Sequence, residues 1–289
     1  MLVLAPSLPP QKIRHPHFEK NAVQVFMKRD DLLHPIVSGN KWRKLKYVIE
    51  DAVLTNKTHL VSFGGAYSNH LVALANAGAS LGFKTTAFIR GESVQNHMLG
   101  LCRLFGMDLH FVSRTAYRNK QQLYEDFAAK NPHTYFIDEG GKGPLAAKGC
   151  EEILHGLTDF THVVCAVGTG TTLAGLAKYA ALVNMRAEGF CVLKGAENLT
   201  QEVEQLAGAG VTIHHQFHRG GYAKTDEELW NFIRLFAQQT GILLDQVYTA
   251  KMMMGLATLI EQGYYPPNSR ILAIHTGGLL GVLSEFSNS

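Results

Sequence analysis

The chain has 289 residues, 46% hydrophobic and 18% charged, which is enough for one large or two modest domains with a sizeable core. Its 27 basic residues against 24 acidic ones are spread along the chain rather than gathered in a run, and that argues against a nucleic-acid partner. No stretch reaches the ~20 uncharged apolar residues that span a bilayer, and the opening MLVLAPSLPP lacks the basic start and apolar length of a signal peptide, so no membrane role and a cytoplasmic location are expected.

The first informative element is SGNKWRKLKY at 38 to 47, where a short Ser-Gly-Asn opens a helix. Four cations, Lys41, Arg43, Lys44 and Lys46, crowd its first turns. A helix N-terminus carries partial positive charge, so cations there need a purpose. A solvated basic face accounts for any single lysine but not for the position of all four. The placement makes sense if one lysine forms a covalent imine and another meets a phosphate.

From residue 59 onward strand-like and helical stretches alternate. HLVSFGG, KTTAFIRG, DLHFV and TYFIDEGG read as strands, separated by helical NHLVALANAGASLG, NHMLGLCRLFG and an amphipathic stretch around 115 to 130. The rhythm resumes with strand THVVCAVG, helix GTTLAGLAKYAALV, strand GFCVLKG, a helix near 198 to 207 and strand VTIHHQFH. Helices at 225 to 239 and 247 to 262, the strand RILAIHTGG and a short last helix complete the chain. Apolar strands each followed by a helix predict the α/β class, with parallel sheets covered on both faces. The glycine-rich DEGGKGP at 138 to 144 is a plausible seam between two layers.

In such sheets ligands bind beyond the carboxyl ends of strands. That rule selects FGGAYSNH, DEGGKGP, AVGTGTT and HTGG. In AVGTGTT, Gly168 and Gly170 let the backbone approach a ligand, while Thr169, Thr171 and Thr172 offer hydroxyls at a helix start, a good anion site that is neither a Walker loop nor a dinucleotide fingerprint. Ser68, Asn69 and His70 can present side chains and N–H groups to a small polar ligand, although Ser or Asn at a helix start is most often only a cap. His214 and His218 on one face of a strand lack companion ligands, so no metal is expected. Cys102, Cys150, Cys165 and Cys191 follow no metal or redox spacing and read as reduced core thiols.

In order, SGNKWRK, FGGAYSNH, VGTGTTLAG, GGYAKTD, VYTAK and HTGG resemble the pyridoxal-phosphate enzymes of the tryptophan-synthase-like class, fold type II. Within that class they are similar to the 1-aminocyclopropane-1-carboxylate deaminase and D-cysteine desulfhydrase family, from about residue 24 almost to the C-terminus. The resemblance implies two open twisted parallel-sheet domains with pyridoxal 5'-phosphate in the cleft between them: a small domain at 44–144 and a larger one from 1–43 and 145–289. It implies that Lys41 holds the cofactor as a Schiff base and Lys44 lies near its phosphate, with Gly168 to Thr172 cradling that phosphate. Asn69 would meet the ring oxygen, Ser68 and neighbouring N–H groups the substrate carboxylate, and Tyr222 and Tyr248 would be the two active-site tyrosines. Where the deaminase branch carries Glu and Leu, this chain has Thr249 and Thr276, the desulfhydrase pattern. A hydroxyl at the pyridine nitrogen leaves a weaker electron sink than a carboxylate does. The resemblance therefore implies a lyase that performs β-elimination on a small amino acid, D-cysteine first, with the ring-opening deaminase, another pyridoxal-phosphate deaminase or racemase, and a non-catalytic pyridoxal-phosphate- or metabolite-binding protein as alternatives; a homodimer is the default expectation for such an enzyme. The sequence departs from the family at Trp42, Ala250 and GGYAKTD, which places Trp42 and the Tyr222 loop among the expected determinants of substrate.

Overall fold

The computed structural model describes residues 4–19 and 21–286, so the first three residues of the opening stretch lie outside it. In chain order the elements are β1 (Gln11–Lys12), β2 (Gln24–Lys28), α1 (Asn40–Leu54), β3 (His59–Gly64), α2 (Asn69–Leu81), β4 (Lys84–Arg90) and α3 (His97–Leu104). There follow β5 (Asp108–Val112), α4 (Arg114–Tyr117), α5 (Lys120–Ala128), β6 (Thr134–Ile137), α6 (Pro144–Glu151), β7 (His162–Val167) and α7 (Thr171–Leu182). The chain continues with β8 (Arg186–Cys191), α8 (Leu199–Ala207), β9 (Thr212–His214), α9 (Glu227–Thr240), α10 (Thr249–Glu261), β10 (Arg270–Ile274) and a 3-10 stretch at Leu279–Phe286.

These form two sheets, as expected of the α/β class. The smaller runs β5-β4-β3-β6 and is parallel throughout. The larger runs β1-β2-β10-β7-β8-β9, parallel except where β1 pairs antiparallel with β2. The apolar strands are buried on both faces because helices cover both. In the larger sheet, Val25, Met27, Val164 and Ala273 face α9 and α10, whereas Val163, Cys165, Leu272 and Ile274 pack with α6, α7 and α8. In the smaller sheet the α1, α2 and α3 side is aliphatic, and the other side is an aromatic cluster around Phe63, Phe88 and Tyr117. Among the described residues no helix is long and apolar enough to cross a membrane. All four cysteines are buried and unpaired.

At three places the structure differs from the sequence-based expectations or adds to them. The stretch 115 to 130 is two helices, α4 and α5, because the Asn119 side chain caps a new helix at the Gln122 amide. The strand at 211 to 218 ends at His214, so His218 lies in a turn and shares no strand face with it. His214 instead hydrogen-bonds buried Glu188 at 2.9 Å. The N-terminal strands β1 and β2 had no counterpart in the sequence reading, yet β2 forms the far flank of central β10.

Two glycines bring α1 and the start of α7 into one assembly. A Cβ on Gly149 of α6 would sit 1.8 Å from the Arg43 carbonyl oxygen in α1, and one on Gly175 of α7 would sit 2.3 Å from the Ala147 carbonyl oxygen in α6. Only bare backbone at these two crossings lets α6 lie between them, which places the lysines of α1 beside the loop before α7.

Candidate active site

The carboxyl ends of β3, β6, β7 and β10 converge on a cavity of about 1040 Å3 between the two sheets. Its walls include Lys41, Lys44, Ser68, Asn69, His70, Gly168, Thr169, Gly170, Thr172, Tyr222, Tyr248 and Thr276. The four glycine-polar turns chosen from the sequence all contribute to this lining.

The helix α1 explains its own cations. Residues three apart on a helix share a face, so the four divide into two pairs. Arg43 and Lys46 point to carboxylates: Arg43 Nε lies 3.1 Å from Asp30, and Lys46 Nζ lies 2.7 Å from Glu152. Lys41 and Lys44 face the cavity instead, and neither has a carboxylate partner among the described residues. Burial, followed by the neighbouring charge of Lys44, pushes the Lys41 amine down to about 7. Lys44 is also lowered by burial, and its Nζ donates to the Gly140 carbonyl at 3.1 Å and to Thr169 Oγ1 at 3.5 Å.

Asn40, absent from the expected site residues, ties these groups together. Its Oδ1 accepts from Lys41 Nζ at 2.6 Å, and its Nδ2 donates to Thr172 Oγ1 at 2.7 Å. The loop that receives Thr172 turns through Gly170, whose φ of +79° and whose contact with Val203, 2.4 Å from a built Cβ, both require glycine. Immediately after it the first N–H groups of α7 have no intrahelical acceptors. With Lys44 above them, these donors form an anion cradle. Thr171 is fully buried and does not line the cavity; its hydroxyl sits 3.4 Å from that of Thr169.

At the start of α2, Ser68 does cap the helix, accepting weakly from the Leu71 amide at 3.4 Å, and it also lines the cavity. His70 sits deeper. Ser62 Oγ gives its proton to the Ile137 carbonyl, so His70 Nε2 donates to Ser62 and Nδ1 is left as a bare, buried acceptor. Burial beside Lys44 and Lys41 holds this imidazole neutral, with its pKa down to about 3. Its bare nitrogen is shut off from solvent beside Gly141, so His70 is a poor base and shapes the wall rather than reaching into it.

Two expectations fail here. Thr249 is fully buried and outside the cavity wall, with its hydroxyl donating to Asp245 Oδ1 at 2.7 Å. Asp245 lines the wall in its place, but its carboxylate is occupied: Oδ1 also accepts from the Thr249 amide at 2.8 Å, and Oδ2 accepts from the Val247 and Tyr248 amides. An aspartate ahead of a helix is a cap signal that the sequence displayed at DQVYT. Trp42 packs against the aliphatic core of the small sheet and does not reach the cavity wall. Tyr248 lies against Gly168, 3.2 Å from where a Cβ would be, and its ring meets that of Tyr222 edge-on at 6.0 Å. Desolvation inside the cleft raises Tyr248 well above the ordinary phenol value and raises Tyr222 too, although the Tyr222 side chain is 47% exposed, so each is a proton donor at neutral pH.

The residue pattern of the pyridoxal-phosphate dependent enzyme family matches residues 9–277. A Thermotoga maritima protein that carries the provisional name 1-aminocyclopropane-1-carboxylate deaminase is 30% identical, covering 92% of this chain and 92% of its own. The mitochondrial bifunctional D-cysteine desulfhydrase/1-aminocyclopropane-1-carboxylate deaminase of Arabidopsis thaliana is 31% identical over 92% of this chain and 75% of its own length. A crystal structure of an ACC deaminase homologue superposes with a TM-score of 0.85 at 27% identity, over 99% of this chain and 94% of that one. These relatives, and a site that pairs a neutral amine with an anion cradle, lead to one conclusion: the chain belongs to the pyridoxal-phosphate dependent enzymes, in the family of the 1-aminocyclopropane-1-carboxylate deaminases and D-cysteine desulfhydrases.

Proposed function

We propose that the chain is a lyase that eliminates the β-substituent of a small amino acid, D-cysteine first, giving pyruvate, ammonia and hydrogen sulfide. The observation that carries this reading is the end of the cavity formed by Asp245 and Thr276. The carboxylate there is consumed by the amides at the start of α10 and by the Thr249 hydroxyl, and Thr276 lines the cavity with no side-chain hydrogen bond among the described residues. A neutral partner there favours loss of a good leaving group over opening of a strained ring. The name of the Thermotoga maritima relative favours the second reading, ring-opening deamination of 1-aminocyclopropane-1-carboxylate, and that of the Arabidopsis thaliana relative carries both activities.

The residues suit pyridoxal phosphate. The cradle at Gly168–Thr172 with Lys44 would hold its phosphate, Lys41 would bind its carbonyl carbon, and the side-chain amide of Asn69 would meet its polar edge. The bound cofactor supplies the electron sink that stabilises negative charge at the substrate Cα. The rest falls to the chain. The first-turn N–H groups of α2 and Ser68 receive the substrate carboxylate, and the neutral Lys41 amine takes the α-proton. Tyr222 and Tyr248, both protonated, stand ready to protonate what leaves. The 44–144 unit as the small domain belongs to the same reading, supported by all four strands of the smaller sheet falling within it. So do a homodimer and a cytoplasmic location.

Sulfide and pyruvate released from D-cysteine by the holoenzyme, with less from L-cysteine and no keto acid from 1-aminocyclopropane-1-carboxylate, is the expected result. Keto acid from the cyclopropane substrate without sulfide from D-cysteine transfers the assignment to the deaminase. No product from any of the three leaves an enzyme of another amino acid or a cofactor-binding protein. A separate expectation concerns the apoprotein. Borohydride trapping of pyridoxal phosphate on Lys41 rises with pH and is half-maximal near pH 7, because the amine is protonated and unreactive below its depressed value of about 7. A trapping curve still climbing steeply at pH 9 would mean an ordinary lysine.

A further inference from the structure

The turn that carries Tyr222 is built from unfavourable backbone. Arg219 has φ +49°, Gly220 +87°, Gly221 +119° and Ala223 +55°, and two of these four are not glycine. Left-handed conformations of ordinary residues persist only where the surroundings impose them. The turn's own hydrogen bonds are few: the Gly221 amide to the His218 carbonyl at 3.1 Å, and the Lys224 amide to the Gly221 carbonyl at 3.2 Å. The ion pairs of Arg219 with Asp226 and Glu228 are on the outside, where such pairs contribute little.

The imposing group comes from below. Lys251, one turn into α10, is 1% exposed, and its Nζ donates to the His218 carbonyl at 3.0 Å and to the Gly221 carbonyl at 2.7 Å. These are the same two carbonyls that close the turn. Just before them, Phe217 lies against Gly255, four residues further along α10, where a Cβ would come within 2.8 Å of the ring. The result is a turn held by α10 on one side and open to the cavity on the other, with Tyr222 at its tip, 47% exposed and edge-on to Tyr248.

We propose that Lys251 is a positioning residue, which sets the place of Tyr222 against Tyr248 by holding the carbonyls of His218 and Gly221. The inference rests on the reading of Tyr222 as an active-site group. Burial lowers the Lys251 amine to about 8. A neutral amine still has two N–H bonds for two carbonyls, so the hold survives deprotonation and is not a pH switch.

The test compares holoenzymes of the parent chain with Lys251→Met, Lys251→Gln, Tyr222→Phe and the double variant Lys251→Met/Tyr222→Phe. Two readouts are needed, one of them independent of turnover. Trypsin cuts after Arg219 and Lys224, within the turn itself. Cleavage there is expected to speed up about tenfold in Lys251→Met, as a pinned segment becomes able to open, while the absorbance of the bound cofactor stays that of the parent. With D-cysteine, kcat of Lys251→Met is expected to fall to the level of Tyr222→Phe, a loss of about 10²-fold typical of a misplaced acid or base. The double variant should lose nothing more, and Lys251→Gln, which keeps N–H donors, should lie between Met and parent in both readouts. Losses that multiply in the double variant, or cleavage at Arg219 and Lys224 unchanged in Lys251→Met, overturn the proposal. If D-cysteine is not a substrate, the proteolysis still decides it. If Lys251→Met does not fold, Lys251→Gln decides it, and parent-like cleavage there counts against it.

Discussion

Lys41→Ala is expected to lose the cofactor's visible absorbance and all measurable turnover together, a fall of at least about 10³-fold. The expectation follows from how singular this amine is. Its Nζ is neutralised near pH 7, lies in the cavity wall, and is steered by Asn40 toward the same Thr172 that helps form the anion cradle. Its neighbour Lys44 is occupied by the Gly140 carbonyl and Thr169, so moving it would dismantle the cradle. The measurement is an absorbance spectrum with added pyridoxal phosphate, followed by borohydride reduction and mapping of any modified lysine. Trapping at Lys44 in the variant would show that the two lysines can exchange roles, and full activity without any trapped lysine would sink the assignment.

The sequence disclosed this site unevenly, for physical reasons. Lys41 and Lys44 were conspicuous because charge against a helix dipole needs an explanation, and the Gly168–Thr172 loop because glycine beside hydroxyls at a helix start leaves donors unpaired. What stayed hidden depended on contacts between distant segments. Arg43 and Lys46 look like Lys41 and Lys44 in the sequence and differ only because Asp30 and Glu152 pack beside them. From its place in VYTAK, Thr249 was expected at the cofactor ring, yet its hydroxyl turns to Asp245, four residues back, and no motif records that orientation. Trp42 stands next to Lys41 in the chain, but adjacent residues on a helix point about 100° apart, and it turned into the small-sheet core. The α/β rhythm was legible strand by strand, whereas β2 was not, because its partner β10 lies some 240 residues away in the chain and makes it a strand.

Gly39→Ala is expected to be the most damaging single-methyl change near the site. Gly39 precedes α1 with φ +62°, and a Cβ there would lie 2.0 Å from the Thr276 carbonyl oxygen and 2.6 Å from the Gly277 nitrogen. Both are backbone atoms, and neither is free to retreat. The Gly277 amide is bonded to His275 Nδ1 at 3.2 Å, and Gly277 itself faces Ser38, whose Oγ would lie 2.4 Å from a Cβ built on it. The loop that launches α1 and the loop that ends β10 therefore interlock, bare backbone on bare backbone. Adding the methyl combines about 1–3 kcal/mol for a backbone conformation, φ +62° and ψ −137°, that ordinary residues scarcely adopt with an overpacking cost of about 1–3 kcal/mol or more. Relief would come by moving the start of α1 away from β10, which carries Lys41 away from Thr172 and weakens cofactor binding, by more than about tenfold for a shift costing 1.4 kcal/mol. Gly82→Ala serves as the reference for a positive-φ glycine without a clash. Gly82 ends α2 in the left-handed region, φ +79° and ψ 21°, with nothing within 4 Å of a built Cβ, so it carries only the milder left-handed backbone cost of about 1–2 kcal/mol. Thermal melting of the two holoenzyme variants should show the larger drop for Gly39→Ala, by on the order of 5 °C, with weaker cofactor binding in that variant only; equal drops would mean that the interlock at Gly39 does not hold Lys41 in place.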